Sequence, residues 1–172
     1  RSSAASDVYK RQEVEMLDAY MSLMCYRYSD IIYRSEIEPG ALDIEIPNFI
    51  LQPLLENSLM HGLKDRRYQG TIILKIYRNE QDKNELNIWL IDDGIGIPDD
   101  KMAELNAYNA KDSEALYRVQ TRTEGDRTHL GVINVISRLK LYYQENAEVI
   151  YMRNETGGTT VKIKIKTASE ET

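Results

Sequence analysis

Asn57 and His61 stand four residues apart in Leu55-Glu56-Asn57-Ser58-Leu59-Met60-His61-Gly62, so a helix carries both on one face. An Asn carbonyl oxygen is a hard ligand suited to Mg²⁺ beside phosphate oxygens. A His at that spacing can donate a hydrogen bond to phosphate. Leu51, Leu55 and Leu59 fall on a neighbouring face and anchor the helix in the core. The plain alternative is an Asn near the surface and a His at a helix end, interacting with the helix dipole.

A second group, Asp92-Asp93-Gly94-Ile95-Gly96-Ile97-Pro98, directly follows a hydrophobic strand. Close glycines let a ligand approach the backbone, and a carboxylate at the strand end can accept a hydrogen bond from an exocyclic amine such as that of adenine. The third glycine of a dinucleotide fingerprint is missing, and no Gly-Lys-Ser/Thr phosphate loop occurs. A charged turn ending a strand is the bland reading. A third group opens at Gly131, where a polar stretch turns into a helix whose free first-turn N–H groups can hold phosphate oxygens. Asn134 and Arg138 lie off its apolar stripe, either as further donors near that end or as a surface pair. Gly157-Gly158-Thr159-Thr160 reads as a hairpin turn, or as a turn that brings a Thr hydroxyl to a ligand.

These groups need elements to hold them. Val14, Leu17, Met21, Met24 and Tyr28 recur at helical spacing, predicting a helix over Glu13 to Arg27. A second helix is predicted over Asn48 to Leu63, with Pro53 near its first turn and Gly62 helping to end it. A third, Gly131 to Tyr143, places Val132, Val135, Leu139 and Tyr142 on one face. Strands are predicted at Ile31–Ile37, Thr71–Tyr77, Leu86–Ile91, Glu148–Arg153 and Thr160–Ile165. In the last, Val161, Ile163 and Ile165 alternate with lysines, so one face is wet or the strand is a blunted edge. From Pro98 to His129 the chain is polar, with a short helical piece around Lys101 to Tyr108. Such long connections serve as lids or binding loops, or are disordered.

The 172 residues, 42% of them hydrophobic, suit one domain with one core. Residues 1–12 read as a disordered lead-in or a leftover of expression, 13–166 as the domain, and 167–172 as a frayed tail. The apolar runs are too short and charged to span a membrane, and the polar start lacks the apolar stretch of a signal peptide. The single cysteine, Cys25, excludes an internal disulfide and Cys-rich metal motifs, and fits a reducing cytoplasmic setting. A net charge of -6 argues against nucleic-acid binding.

Taken in order, Leu51-Gln52-Pro53-Leu54-Leu55-Glu56-Asn57-Ser58-Leu59-Met60-His61-Gly62, Asp92-Asp93-Gly94-Ile95-Gly96, Leu130-Gly131-Val132-Ile133-Asn134-Val135-Ile136-Ser137-Arg138-Leu139 and Gly158-Thr159-Thr160 resemble the catalytic ATP-binding domain of sensor histidine kinases, nearest the LytS/YesM-like branch of the GHKL superfamily. The Leu-Gln-Pro-Leu-x-Glu-Asn and Asn-Val-x-x-Arg-Leu signatures carry most of the likeness, which covers roughly residues 13 to 166. It implies an α+β fold, the two-layer α/β sandwich of the Bergerat type, with a mixed, mostly antiparallel sheet packed on helices.

The resemblance also implies roles. Asn57 would ligate Mg²⁺, with Glu56 and His61 beside the ATP phosphates. Asp92 would accept from the adenine amino group, and Gly94 and Gly96 would shape the pocket floor. The segment from Ile97 to His129 would be the ATP lid, Gly131 would start the helix beneath the phosphates, and Thr159 would lie near the base. Two positions depart from the pattern. His129 stands where many relatives carry glycine, so it reaches the phosphates or merely restricts the lid; Val132 stands where leucine is usual.

Such kinases transfer the γ-phosphoryl group to a histidine on an upstream dimerisation domain, and then to an aspartate of a response regulator. The family's acceptor block, Pro-His-Phe followed by Asn-x-Leu-Asn, does not occur here, and the only two histidines, His61 and His129, fall in the nucleotide motifs. The implied parent is a membrane-anchored homodimer with this domain in the cytoplasm. Three other readings stay open: a GHKL-type ATPase, a serine kinase, and a degenerate interaction domain without nucleotide. Hydrolytic relatives place a Glu one turn before the metal-binding Asn, whereas Pro53 stands there in this chain.

Overall fold

The computed structural model describes residues 3–43, 46–122 and 127–167, with side chains at 13–43, 46–112, 114–119 and 131–167. The chain runs α1 (Ser3–Arg27), β1 (Ile31–Ile37), α2 (Leu51–Asn57), β2 (Gly70–Arg78), β3 (Glu85–Asp92), α3 (Asp99–Ala107), α4 (Ser113–Arg122), α5 (Arg127–Tyr143), β4 (Ala147–Arg153) and β5 (Thr159–Lys166). The five strands form one sheet in the order β1-β2-β3-β5-β4. β1 and β2 pair in parallel through the crossover that contains α2; the other three pairings are antiparallel.

Alternation sorts the sheet into two faces. Ile72, Leu74 and Ile76 of β2, Leu86, Ile88 and Leu90 of β3, and Val161, Ile163 and Ile165 of β5 are buried beneath the helices. The opposite face carries Lys75, Tyr77, Trp89, Lys162 and Lys164. There the Lys162 ammonium sits 3.9 Å from the Trp89 ring centroid, and Lys166 lies 3.5 Å from the Glu85 carboxylate. The β5 lysines therefore mark a wet face; β5 lies inside the sheet, between β3 and β4, and is no edge.

α1 begins at Ser3, ten residues before the predicted start, so the stretch expected as lead-in continues the helix from residue 3 onward. Val14, Leu17 and Met21 are buried as the spacing requires. Glu13 reaches from α1 to the start of α2, where its Oε1 accepts the N–H groups of Ile50 and Leu51, both at 3.0 Å. These are donors that the helix cannot satisfy itself. Beyond Asn57 the helix widens into a π segment, Ser58–Leu63, and tightens into a 3-10 turn, Lys64–Arg66. It does not end at Gly62; Arg67 and Tyr68, at φ 55 and 59, end it. Tyr68 then stacks on Tyr28 at 3.9 Å, tying the end of α1 to this turn.

The connection expected to be mostly loop is largely helical. Asp99 and Asp100 stand in the first turn of α3, where the helix dipole favours them. Asp112 caps α4 by accepting from the Ala115 N–H at 2.7 Å. Leu116 is buried, and Glu114 and Arg118 pair one turn apart on the exposed side. In α5, Val132, Ile133, Val135, Ile136 and Leu139 are buried, but Tyr142 is exposed. Extending the stripe by seven and eleven residues from Val132 reaches Leu139 and the half-buried Tyr143 rather than Tyr142.

α3 and the turn after it are clamped to β4 by two asparagines. The Asn106 amide exchanges hydrogen bonds with the N–H and carbonyl of Tyr151, at 2.7 and 2.9 Å. Asn109 does the same for Val149, at 3.0 and 2.6 Å. Lys140 of α5 fixes the same turn by donating to the Asn109 and Lys111 carbonyls, both at 2.6 Å. Thr167, expected to belong to the frayed tail, still donates to the Asn84 carbonyl at 2.9 Å; residues 168–172 lie outside those described.

Candidate functional site

The α2 helix and its π continuation lie over the end of β3, and Asp92 is the last residue of that strand. Asp92 as a whole is 3% exposed. Oδ1 accepts from the N–H groups of Gly94 and Thr159, at 3.0 and 3.2 Å. Oδ2 accepts from the Ser58 hydroxyl at 3.0 Å. Burial pushes its pKa up; the hydrogen bonds from Gly94, Thr159 and Ser58 oppose this, and neighbouring Asp93 adds to the rise. An ionised carboxylate has about four acceptor positions, so three internal donors leave room for one from a ligand. Asn154 fixes the same residue from below, donating to the Asp92 carbonyl at 2.8 Å.

Glycine allows this packing. A Cβ on Gly94 would lie 2.5 Å from the Gly62 carbonyl oxygen and 2.6 Å from Gly62 Cα. A Cβ on Gly62 would lie 3.2 Å from Asp92 Oδ1. The two backbones meet in the Ile95 N–H to Gly62 carbonyl bond, 3.0 Å. Gly62 is thus a contact surface for the carboxylate. π segments of this kind recur at functional sites, and here the wider turn brings Ser58 and Gly62 of one helix against Asp92.

Above this floor opens a cavity of about 950 Å³, at the upper end of the range of about 300–1,000 Å³ typical of small-molecule sites. Glu56, Asn57, His61, Asp92, Gly96 and Thr159, six of the expected site residues, line it together. Asn57 and Glu56 are half-buried and His61 is exposed at the mouth. Glu56 also accepts from the Gln52 side chain at 2.9 Å. Gly94 lies under the floor, against Gly62.

Gly131 is placed differently from the expectation. α5 starts at Arg127, so Gly131 is its fifth residue and not its first free donor. The position where its Cβ would be is 3.8 Å from Pro53, so it passes close to the start of α2. Its neighbour Val132 is the residue that reaches the cavity. Arg138 also serves elsewhere: it donates to the Asn48 carbonyl at 2.7 Å and lies over the Phe49 ring. The His129 side chain lies outside the described residues.

Several lining groups had no sequence signal. Ser58 hides beside Asn57, and only its burial next to Asp92 gives it a part. Lys101 of α3 and Tyr151 of β4 complete the wall. Among the described residues no three His, Cys, Asp or Glu side chains gather to hold a metal. One amide oxygen, Asn57 Oδ1, at the cavity wall suits Mg²⁺, which keeps its waters and takes other ligands from phosphate. No described helix is long and apolar enough to cross a membrane.

A buried strand-end carboxylate, a glycine-packed helix above it and a large cavity between them stand on a mixed, mostly antiparallel sheet under helices. The profile of the histidine kinase-, DNA gyrase B-, and HSP90-like ATPases matches residues 43–169, and the chain belongs to that family. It is 33% identical over 152 residues to the sensor protein LytS of Oceanobacillus iheyensis, covering 88% of this chain and 24% of that protein. It is 28% identical over 158 residues to the uncharacterised protein YwpD of Bacillus subtilis, covering 92% and 50%. The chain thus spans a quarter to a half of the length of these curated relatives. Among solved structures, the catalytic domain of histidine kinase ThkA, in a nucleotide-free form, superposes with a TM-score of 0.59 at 10% identity, covering 92% of this chain and 94% of that one. The mycobacterial sensor histidine kinase MprB gives 0.54 at 16%, covering 89% and 93%. At such identities the likeness is one of fold, and the fold is the Bergerat type.

Proposed function

We propose that this chain is the ATP-binding unit of a two-component sensor histidine kinase, and that it presents Mg-ATP for γ-phosphoryl transfer to a histidine on a separate dimerisation domain. The observation that carries the reading is the Asp92 carboxylate, buried, held by three donors and facing a cavity of about 950 Å³. Its remaining acceptor position takes the adenine amino group. Ser58, Gly94 and Thr159 fix the carboxylate so that no reorganisation accompanies binding. Asn57 Oδ1 would hold Mg²⁺, which when bound neutralises phosphate charge. His61 and Lys101, on opposite elements of the same wall, donate toward the phosphates. Exposure of His61 at the mouth suits delivery of the γ-phosphate to an incoming nucleophile.

The partners follow from this reading: the chain's own dimerisation and phosphoacceptor domain, then a response regulator, in a homodimeric, membrane-anchored parent with this domain in the cytoplasm. Hydrolysis is disfavoured because Pro53, in the first turn of α2, carries no base to activate water. Calorimetric titration with ATP and an unhydrolysable analogue, with and without Mg²⁺, tests the site. Binding that tightens with Mg²⁺ is expected. No binding at millimolar nucleotide overturns the reading in favour of a nucleotide-free interaction domain. Stoichiometric phosphohistidine on the chain alone overturns the separation of acceptor and ATP site.

A further inference from the structure

The loop that leaves β3 at Asp92 lines the cavity with Ile95, Gly96, Ile97 and Pro98. Both its ends are held by neighbours: Arg153, the last residue of β4, and Asn154, which follows it. Asn154 donates to the Asp92 carbonyl at 2.8 Å, where the loop begins. Arg153 donates through Nη2 to the Ile97 carbonyl at 2.9 Å, where the loop ends. The same guanidinium lies 3.4 Å from the Gly157 carbonyl in the β4–β5 turn and 3.4 Å from Asp99 Oδ1 in the first turn of α3. One planar fork thus joins three segments. Between the two holds, Gly94 gives its N–H to Asp92 and Ile95 gives its N–H to the Gly62 carbonyl. Gly96, at φ 77, lies so close to the Gly157 carbonyl and to Arg153 that a side chain has no room there. Arg153 itself is exposed and does not line the cavity. As a surface ion pair with Asp99 it contributes little to stability. Its shortest bond goes instead to the backbone of the cavity wall, and that bond sets where Ile97 stands.

We propose that Arg153 is a positioning residue for the nucleotide site: from outside the cavity it fixes the Ile97 end of the loop, and so the wall beside the base that Asp92 holds. The proposal rests on the reading that this cavity takes an adenine nucleotide. Without the fork the wall samples more open positions, and apparent affinity falls with the fraction of molecules whose wall is in place. α3 keeps its far end on β4 through Asn106 and Asn109. Lys101 on that helix therefore stays where it is, and the loss falls on the base rather than on the phosphates.

The test compares wild type with Arg153→Met, which keeps most of the stem and removes every donor, and with Arg153→Lys, which keeps the charge and loses the fork. Arg153→Met is expected to melt close to wild type, because the bonds it loses are exposed. By calorimetry with Mg²⁺ it is expected to bind ADP and an unhydrolysable ATP analogue about 3- to 10-fold more weakly, by the same factor for each. Arg153→Lys is expected to weaken both nucleotides as well, and carries the test alone if Arg153→Met fails to fold. Hydrogen exchange at the Ile95 amide is expected to quicken in the variants, as the loop opens locally. Wild-type affinity in the variants overturns the proposal. So does a loss that grows from ADP to the ATP analogue, or one that Arg153→Lys restores in full; either marks a charge acting on the phosphates at a distance. Failure of the underlying reading looks different: wild type would then bind neither nucleotide, or bind them no better than Asp92→Asn does, and the proposal would fall with it.

Discussion

Asp92→Asn separates binding from stability, because the amide keeps the shape and most internal bonds of the carboxylate. Oδ1 of the asparagine still accepts from Gly94 and Thr159, and the amide nitrogen faces the Ser58 oxygen, which can accept as readily as donate. The charge is what disappears, from a site 3% exposed. For an adenine amino group, an acceptor becomes a donor. Losing one charge-assisted hydrogen bond is worth about 1.5–3 kcal/mol, so ATP should bind roughly 10- to 150-fold more weakly by calorimetry. Stability should move the other way. Burial raises the carboxyl pKa above its ordinary 3.8, so the folded protein holds this proton more tightly than the unfolded chain does. The stabilisation from that proton is complete below pH 3.8 and is lost as pH rises through the folded pKa. Relative to wild type, Asp92→Asn should therefore gain melting temperature as pH rises from that region toward neutrality. A variant that binds ATP like wild type refutes the acceptor role. One that gains relative stability on acidification refutes the argument from burial.

Gly94→Ala forces a Cβ to 2.5 Å from the Gly62 carbonyl; backbone must move, and a cost of about 1–3 kcal/mol with loss of nucleotide binding is expected from thermal melts and titration. Lys140→Met strips the donor from the Asn109 and Lys111 carbonyls, and denaturant unfolding should report a loss of about 2–3 kcal/mol. Glu13→Ala leaves the Ile50 and Leu51 N–H groups uncapped and should cost about 1–2 kcal/mol, while Glu13→Gln, which keeps the acceptor, should stay near wild type in the same assay.

All five strands were legible in the sequence to within one residue at either end, because β-branched alternation is a local signal and the buried faces follow it. Helix starts were less so. Gly131 looks like a helix opening, yet α5 begins at Arg127, since nothing about Arg127 to Leu130 forbids helix and the glycine is tolerated inside one. α4 was hidden because a short, mostly exposed helix shows few apolar residues, although Asp112 before Ser113 was a readable cap. The residues now lining the cavity were mostly readable because they sit in contiguous motifs. Ser58 and Asn154 were not, because each acquires its part only from a neighbour 34 or more positions away in the chain.

The paired amides of Asn106 and Asn109 bear on a hazard unrelated to nucleotide. β4 is an outer strand of the sheet, and an unpaired side of such a strand can recruit a foreign chain. Two side-chain amides, three residues apart, occupy the donors and acceptors of Val149 and Tyr151 much as a short extra strand would. A neighbouring molecule can add to this border only by first displacing α3 and the turn that follows it. The sheet is thereby terminated by side chains rather than by another strand, and the same bonds that hold the helix down guard the protein against growing into an aggregate from that side.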